Sequence, residues 1–230
     1  MLRLILPRRC ACCQRSLLPQ EESVCLACLP LLPRVRAEQP GNEVERRLFG
    51  RVPFQHATSF CYYAGSESFS HIIRQSKFDD RPWLNARMTR LFVRELQMSA
   101  DASGVPGWPY DVDVIVPIPL HTLRLLSRGY NQSVAIAQEL SRAWHLPLET
   151  RCLYKSRYTT SQVGLTGHDR LRHEEGSFAV RRPELLASRH VLLVDDVLTT
   201  GATLVAASDA LLEAVEGVRI SVLTLSFARS

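Results

Sequence analysis

Four consecutive apolar residues, Val191 to Val194, run directly into two adjacent carboxylates, Asp195 and Asp196, and then into the turn VLTTG that opens an apolar helix pattern. A leucine and β-branched run of that length reads as a buried central strand. A chain that carries two like charges out of its core on the end of such a strand has few folds open to it. In open α/β sheets, ligands sit at the carboxyl ends of the strands. Gly201 lets the backbone turn tightly, and Thr199, Thr200 and Thr203 bring hydroxyls beside the amides that begin a helix. Such a helix start binds phosphate through its unpaired N–H groups and the helix dipole. Two acids and a phosphate cradle a few residues apart suit a sugar phosphate, the acids accepting hydrogen bonds from vicinal ribose hydroxyls and the cradle holding the 5-phosphate. Capping the helix alone would need only one aspartate and one threonine.

The flanking pattern supports this placement. From about Phe60 the chain alternates strand and helix patterns: ATSFCYYA as a strand, SFSHIIRQSKF and WLNARMTRLFVREL as amphipathic helices, and VDVIVPIP as a strand. NQSVAIAQELSRAWH then predicts a helix, HVLLVDD a strand, GATLVAASDALLEAV a helix and VRISVLTLSFA a last strand. Apolar strands separated by helices imply an α/β fold with a mainly parallel sheet flanked by helices on both faces. ASGVPGWPYD is a loop on its Gly and Pro content. We expect three zones, a cysteine-rich module over 1–35, a linker helix over 36–59 and the α/β domain over 60–230.

The first zone carries Cys10-x2-Cys13 and Cys25-x2-Cys28 in a short stretch with little periodicity. Two such pairs predict a tetrahedral Zn2+ site, structural in role because four thiolates leave no open position. Cys12 competes with Cys10 or Cys13 for a place in that set. Four thiolates on zinc carry a formal charge of about −2, which offsets part of the local arginine excess. Cys61 and Cys152 lie in apolar strand contexts and read as core thiols.

Charge is uneven. Lysine occurs only at Lys77 and Lys155, so 26 of the 28 basic residues are arginine, and residues 1–51 hold nine arginines against five acids. Arginine suits forked contacts to phosphate, although a genome rich in arginine codons produces the same bias. The chain has no apolar run near the ~20 residues of a membrane span. Its start, MLRLILPRRCACC, is too short for a secretory core, so we expect a cytoplasmic protein without membrane insertion.

VLLVDDVLTTGATL resembles the signature of type I phosphoribosyltransferases, which bind 5-phosphoribosyl 1-diphosphate (PRPP) with Mg2+. VPIPLHTLRLLSRGYNQS is similar to the characteristic segment of the ComF competence-protein family. RYTTSQVGLTGHDRLRHEEGSF resembles that family's next segment at Arg157, Gln162, Leu165, Arg170 and Phe178, departing from it at His173, and IIRQSKF with Lys77 is a further match. The resemblance implies a type I phosphoribosyltransferase fold behind the zinc module. It assigns Asp195 and Asp196 to the ribose hydroxyls and Leu198, Thr199, Thr200, Gly201, Ala202 and Thr203 to the 5-phosphate. With Arg128, the two acids form the expected catalytic set, and Lys77, Arg124, Arg128, Arg157, Gln162 and Arg170 the set around the diphosphate and its lid. Arg124 and Arg128 reach the ligand end if residues 117–128 fold back over it, and otherwise are solvated side chains on a basic loop. The polar stretch 155–176 is either a lid that excludes water or a plain surface loop. Enzymes of 6-oxopurine salvage usually carry a further acid where this chain has Thr199, so the resemblance argues against that acceptor.

The implied activity is pentosyl transfer from PRPP to a nitrogen nucleophile, in a protein of natural competence, DNA uptake or the use of imported DNA. Two other readings stay open. One is a non-catalytic, PRPP-sensing accessory protein. The other is a module that grips single-stranded DNA, delivered by uptake machinery, through the arginine-rich first zone. The sequence ends directly after its last strand pattern, so a hood over an acceptor base is expected from residues 54–110 or from the zinc module.

Overall fold

The computed structural model describes residues 8–35, 41–63, 82–103, 111–156 and 176–228. Its central sheet is fully parallel and has four strands, β1 (Phe54–Tyr62), β2 (Val114–Pro117), β5 (His190–Leu198) and β6 (Arg219–Phe227), in the order β1-β6-β5-β2. A separate antiparallel pair, β3 (Leu153–Lys155) and β4 (Phe178–Val180), brackets the residues between them, with the Ser156 amide donating to the Ser177 carbonyl at 2.8 Å. Helices α1 (Glu43–Leu48), α2 (Pro82–Ser103), α3 (Thr122–Arg128), α4 (Gln132–Trp144) and α5 (Ala202–Ala214) complete the described elements.

Alternation along β5 divides the core. Leu192 and Val194 pack with Phe60, Met88, Phe92, Ile136 and Leu140, under α2 and α4. Val191 and Leu193 pack on the other face with Leu48, Phe178, Leu204, Leu211 and Val222, under α1, α5 and the β3–β4 pair. Both faces of the sheet are therefore covered, which is why its strands read as continuous apolar runs. Phe60 and Phe92 stack with ring centroids 4.9 Å apart and tie β1 to α2.

Several boundaries differ from the sequence pattern. β1 begins at Phe54 rather than Ala57, so residues taken for a connection already pair with β6. β5 runs through both acids to Leu198, because Asp195 pairs with Thr224 and Leu198 with Phe227. The basic stretch before α4 is the helix α3 instead of a loop. His121 caps it, accepting from the Leu123 amide, and Gly129 at φ +79° stops it.

The cysteine-rich zone packs into the core of the sheet domain. Cys10, Ala11, Val24, Cys25 and Leu32 share one apolar cluster with Phe60, Leu84 and Met88. Arg34 forms a two-pronged ion pair with Glu95 of α2, Arg87 donates to the Glu22 carbonyl at 2.9 Å, and residues Pro33 to Val35 hydrogen-bond along β1. No helix of the described residues is long and apolar enough to cross a membrane.

Candidate functional site

Asp195 and Asp196 sit at the carboxyl end of β5, an inner strand of the sheet. Asp196 is buried to 9% exposure and Asp195 is half-buried. The Oδ1 of Asp195 accepts from the Ser133 hydroxyl at 2.8 Å and from the Asp196 amide at 2.8 Å. The Ser226 hydroxyl donates to the Asp196 carbonyl at 3.1 Å. Ser133 lies in the first turn of α4, whose cap Asn131 accepts from the Ser133 amide and donates to the Ile118 carbonyl. One carboxylate orientation is thus set jointly by β2, α4 and β5.

Leu198 to Thr203 run from the last residue of β5 through the turn into the first residues of α5. Gly201 is its N-cap at φ +81°, with no side-chain cap on the helix start. Arg47, in the last turn of α1, donates to the Thr199 carbonyl at 2.6 Å, and Arg51 donates to the Thr200 carbonyl. In a trans peptide the C=O and N–H point in opposite directions. Two guanidinium groups that draw these carbonyls toward α1 therefore turn the amides of Thr200 and Gly201 away from it. Burial, with Arg47 close by, lowers the pKa of Arg51, and its Nη2 is buried without a hydrogen-bond partner among the described residues. A Cβ at position 201 would lie 2.9 Å from Leu48 Cδ2, so α1 also closes against the turn sterically.

Arg128 ends α3 and donates to Gln132 Oε1 at 3.0 Å, which places it beside the helix start that carries Ser133. Arg124 is half-buried on the same helix. The structure therefore gathers Asp195, Asp196, the 198–203 turn and Arg128 around the same end of the sheet. Lys77, Arg157, Gln162 and Arg170, like His173, lie outside the described residues. Sequence reasoning missed Ser133, Arg47 and Arg51. The two arginines act on a turn about 150 residues away, and local spacing carries no signal for that.

The four cysteines Cys10, Cys13, Cys25 and Cys28 bring their sulfurs within 4.8 Å of one another. Cys13 and Cys25 are 3.8 Å apart, the separation that tetrahedral sulfurs at about 2.3 Å from a metal would have. Amides of Cys12 and Cys25 donate to Cys10 Sγ, both at 3.4 Å, as fits a sulfur bearing negative charge. The donor set therefore suits a metal such as zinc. Cys12 stands outside it, its thiol pushed up to about 12 by burial and by Cys10. Glu21 braces the module, accepting from the amides of Leu18 and Leu26 at 2.7 Å each and from Arg15 at 2.6 Å, and these amides hold its pKa below the usual carboxylate range.

A family model described as phosphoribosyl transferase domain matches residues 121–230, from the start of α3 onward. Competence protein F of Haemophilus influenzae is 34% identical over 143 residues, covering 60% of this chain and 59% of that protein, so the chain spans under two thirds of that relative. DNA utilization protein YhgH of Escherichia coli K12 is 30% identical over 194 residues, 84% of this chain and 79% of that protein. Among solved structures, an adenine phosphoribosyltransferase superposes with a TM-score of 0.39 at 14% identity, covering 70% of this chain and 85% of that one.

Proposed function

The chain belongs to the ComF family of competence and DNA-utilization proteins with a phosphoribosyl transferase domain, and on that premise we propose that its acid pair and 198–203 turn bind PRPP. The observation that carries this reading is the fixed geometry around Asp195. A carboxylate held by Ser133 and by the neighbouring amide stands beside a phosphate-sized turn whose peptides are oriented by Arg47 and Arg51. Asp195 and Asp196 take the 2- and 3-hydroxyls of the ribose. The amides that begin α5 take the 5-phosphate, and the helix dipole adds to that attraction. Arg128 faces the charge that builds on a departing diphosphate. Asp195, Asp196 and the 198–203 turn would hold PRPP with its Mg2+, and the metal would supply positive charge against the departing diphosphate.

The role we assign is use of imported DNA in the cytoplasm, with Zn2+ holding the N-terminal module. Transfer of the pentosyl group is the activity this site would perform, and a PRPP sensor that lacks turnover would use the same residues.

Calorimetric titration of Mg-PRPP into the protein and into the Asp195→Asn, Asp196→Asn pair variant tests the proposal. Saturable binding to the wild type that falls at least a hundredfold in the variant supports it. A folded wild type that does not bind Mg-PRPP overturns it. Diphosphate release with candidate nitrogen nucleophiles then separates transferase from sensor.

A further inference from the structure

The cysteine module holds more sulfur than a structural metal requires. Five of the chain's seven cysteines fall between Cys10 and Cys28, and four of them form the set whose sulfurs lie within 4.8 Å of one another. Those four differ in their surroundings. Cys10 and Cys25 are fully buried, Cys28 is half-buried and Cys13 is exposed. Cys10 Sγ accepts from the amides of Cys12 and Cys25, both at 3.4 Å, and these bonds draw on its electron density and blunt it as a nucleophile. Cys13 Sγ lies 3.8 Å from Cys25 Sγ. Arg15 is placed against this pair: it forms an ion pair with Glu21 at 2.6 Å, and its contact with Cys25 raises the guanidinium pKa. An accessible thiolate with a guanidinium beside it is the kind of sulfur that reacts. A site built only to hold a metal would shield all four.

We propose that Cys13 and Cys25 are a peroxide-sensitive pair whose oxidation to a disulfide releases the metal of the module. The inference rests on the reading of the four cysteines as a metal site and is independent of PRPP. The Cys13 thiolate attacks one oxygen of hydrogen peroxide, the O–O bond breaks, hydroxide leaves and Cys13 carries a sulfenic acid. The Cys25 thiolate then attacks the Cys13 sulfur, so that the S–S bond forms, the S–O bond breaks and a second hydroxide leaves. Two protons from solvent turn both hydroxides into water. Together the two sulfurs lose two electrons, and the peroxide gains them.

The pair closes from 3.8 Å to the roughly 2.05 Å of a disulfide. Cys10 and Cys28 are then what is left of the original set. Cys12, whose amide bonds Cys10, brings the donors to three at most, short of the four that a tetrahedral structural site takes. The change reaches the sheet domain because Cys25 packs in the same apolar cluster as Phe60, Leu84 and Met88, under α2. A dithiol reductant returns two electrons and restores both thiols. Cys61 and Cys152, both buried, stay reduced throughout.

Treating the metal-bound full chain with increasing hydrogen peroxide tests this, with metal release followed by a chromogenic chelator and disulfides mapped by peptide mass spectrometry. The first two thiols lost should appear as a Cys13–Cys25 disulfide, metal release should keep step with it, and the melting temperature of the chain should fall. Dithiothreitol with Zn2+ should reverse all three changes. Arg15→Gln, which leaves the four sulfurs in place, should carry the same metal content and form the disulfide at least threefold more slowly. Cys12→Ser should react at the wild-type rate. The inference is overturned if the first disulfide joins other cysteines, if the metal stays bound after this one forms, or if metal-bound Arg15→Gln reacts as fast as the wild type. Loss of the response in Cys12→Ser overturns it as well. A chain that carries no metal before oxidation overturns the metal reading and the switch together, whereas a metal-bound chain that resists peroxide overturns the switch alone.

Discussion

Asp195 keeps one orientation because a serine hydroxyl 62 positions earlier in the chain donates to it. A hydrogen bond to a charged group contributes about 1.5–3 kcal/mol. Ser133→Ala should therefore weaken Mg-PRPP binding by about tenfold in calorimetry and lower the melting temperature as well, since Ser133 is itself buried. Arg51→Ala should weaken it by a similar factor, and Arg51→Lys should restore part of the loss, because one donor to the Thr200 carbonyl is retained. Equal affinity in Arg51→Ala and wild type would show that the turn holds its own shape.

His190 is a residue of a different kind. It is fully buried at the opposite end of β5, with Nε2 2.8 Å from Ser221 Oγ and Nδ1 3.2 Å from Asp111. Burial lowers its pKa below 6.5, an effect that Asp111 opposes and Arg219 reinforces. The folded state therefore binds fewer protons than the unfolded chain. The stability it contributes is complete above pH 6.5 and is lost as pH falls through the folded pKa. Denaturant midpoints should drop between pH 7.5 and 5.5 in the wild type and drop less in His190→Gln. Ser221 lies fully buried, with the His56 amide also bonded to its hydroxyl, so this serine–histidine–aspartate set is structural.

At the scale of elements, β5 and the turn after it were legible because their signal is local, in apolar period, acid pair and glycine. The helices α4 and α5 were legible for the same reason, as Asn131 and Gly201 mark their starts. What local pattern does not carry is the reach of one element onto another. α1 looks like a short connecting helix in sequence, yet it is the part that grips the 198–203 turn through Arg47 and, just beyond its end, Arg51. α3 was read as a loop because it is only seven residues long and presents exposed leucines, Leu123, Leu125 and Leu126, in place of a buried stripe. Gly201→Ala tests the fit between α1 and the turn. Its φ of +81° costs an alanine about 1–2 kcal/mol, and the 2.9 Å approach to Leu48 adds to that. The variant should fold with a lower melting temperature and bind Mg-PRPP at least tenfold more weakly.

At the scale of the whole molecule, the open question is whether the cysteine module is a passenger or a part of the domain. Two observations bear on it. Cys10 and Cys25 are completely buried, and they lie in the same apolar cluster as Phe60, Met88 and Phe92 of the sheet domain. Ion pairs of Arg34 with Glu95 and of Arg90 and Arg94 with Glu22 join the module to α2, and Arg90 continues to Glu139 on α4. A module bonded in this way cannot unfold alone without exposing one face of α2. Four cysteine sulfurs lie within 4.8 Å of one another, close enough to hold a metal ion, which would favour their thiolate forms. Chelation, or Cys25→Ser, should then lower the melting temperature of the entire chain in a single transition, and affinity for Mg-PRPP should fall with it at temperatures near that midpoint. Two separate calorimetric transitions after chelation, the upper one unchanged, would instead show a module that folds apart from the domain it touches.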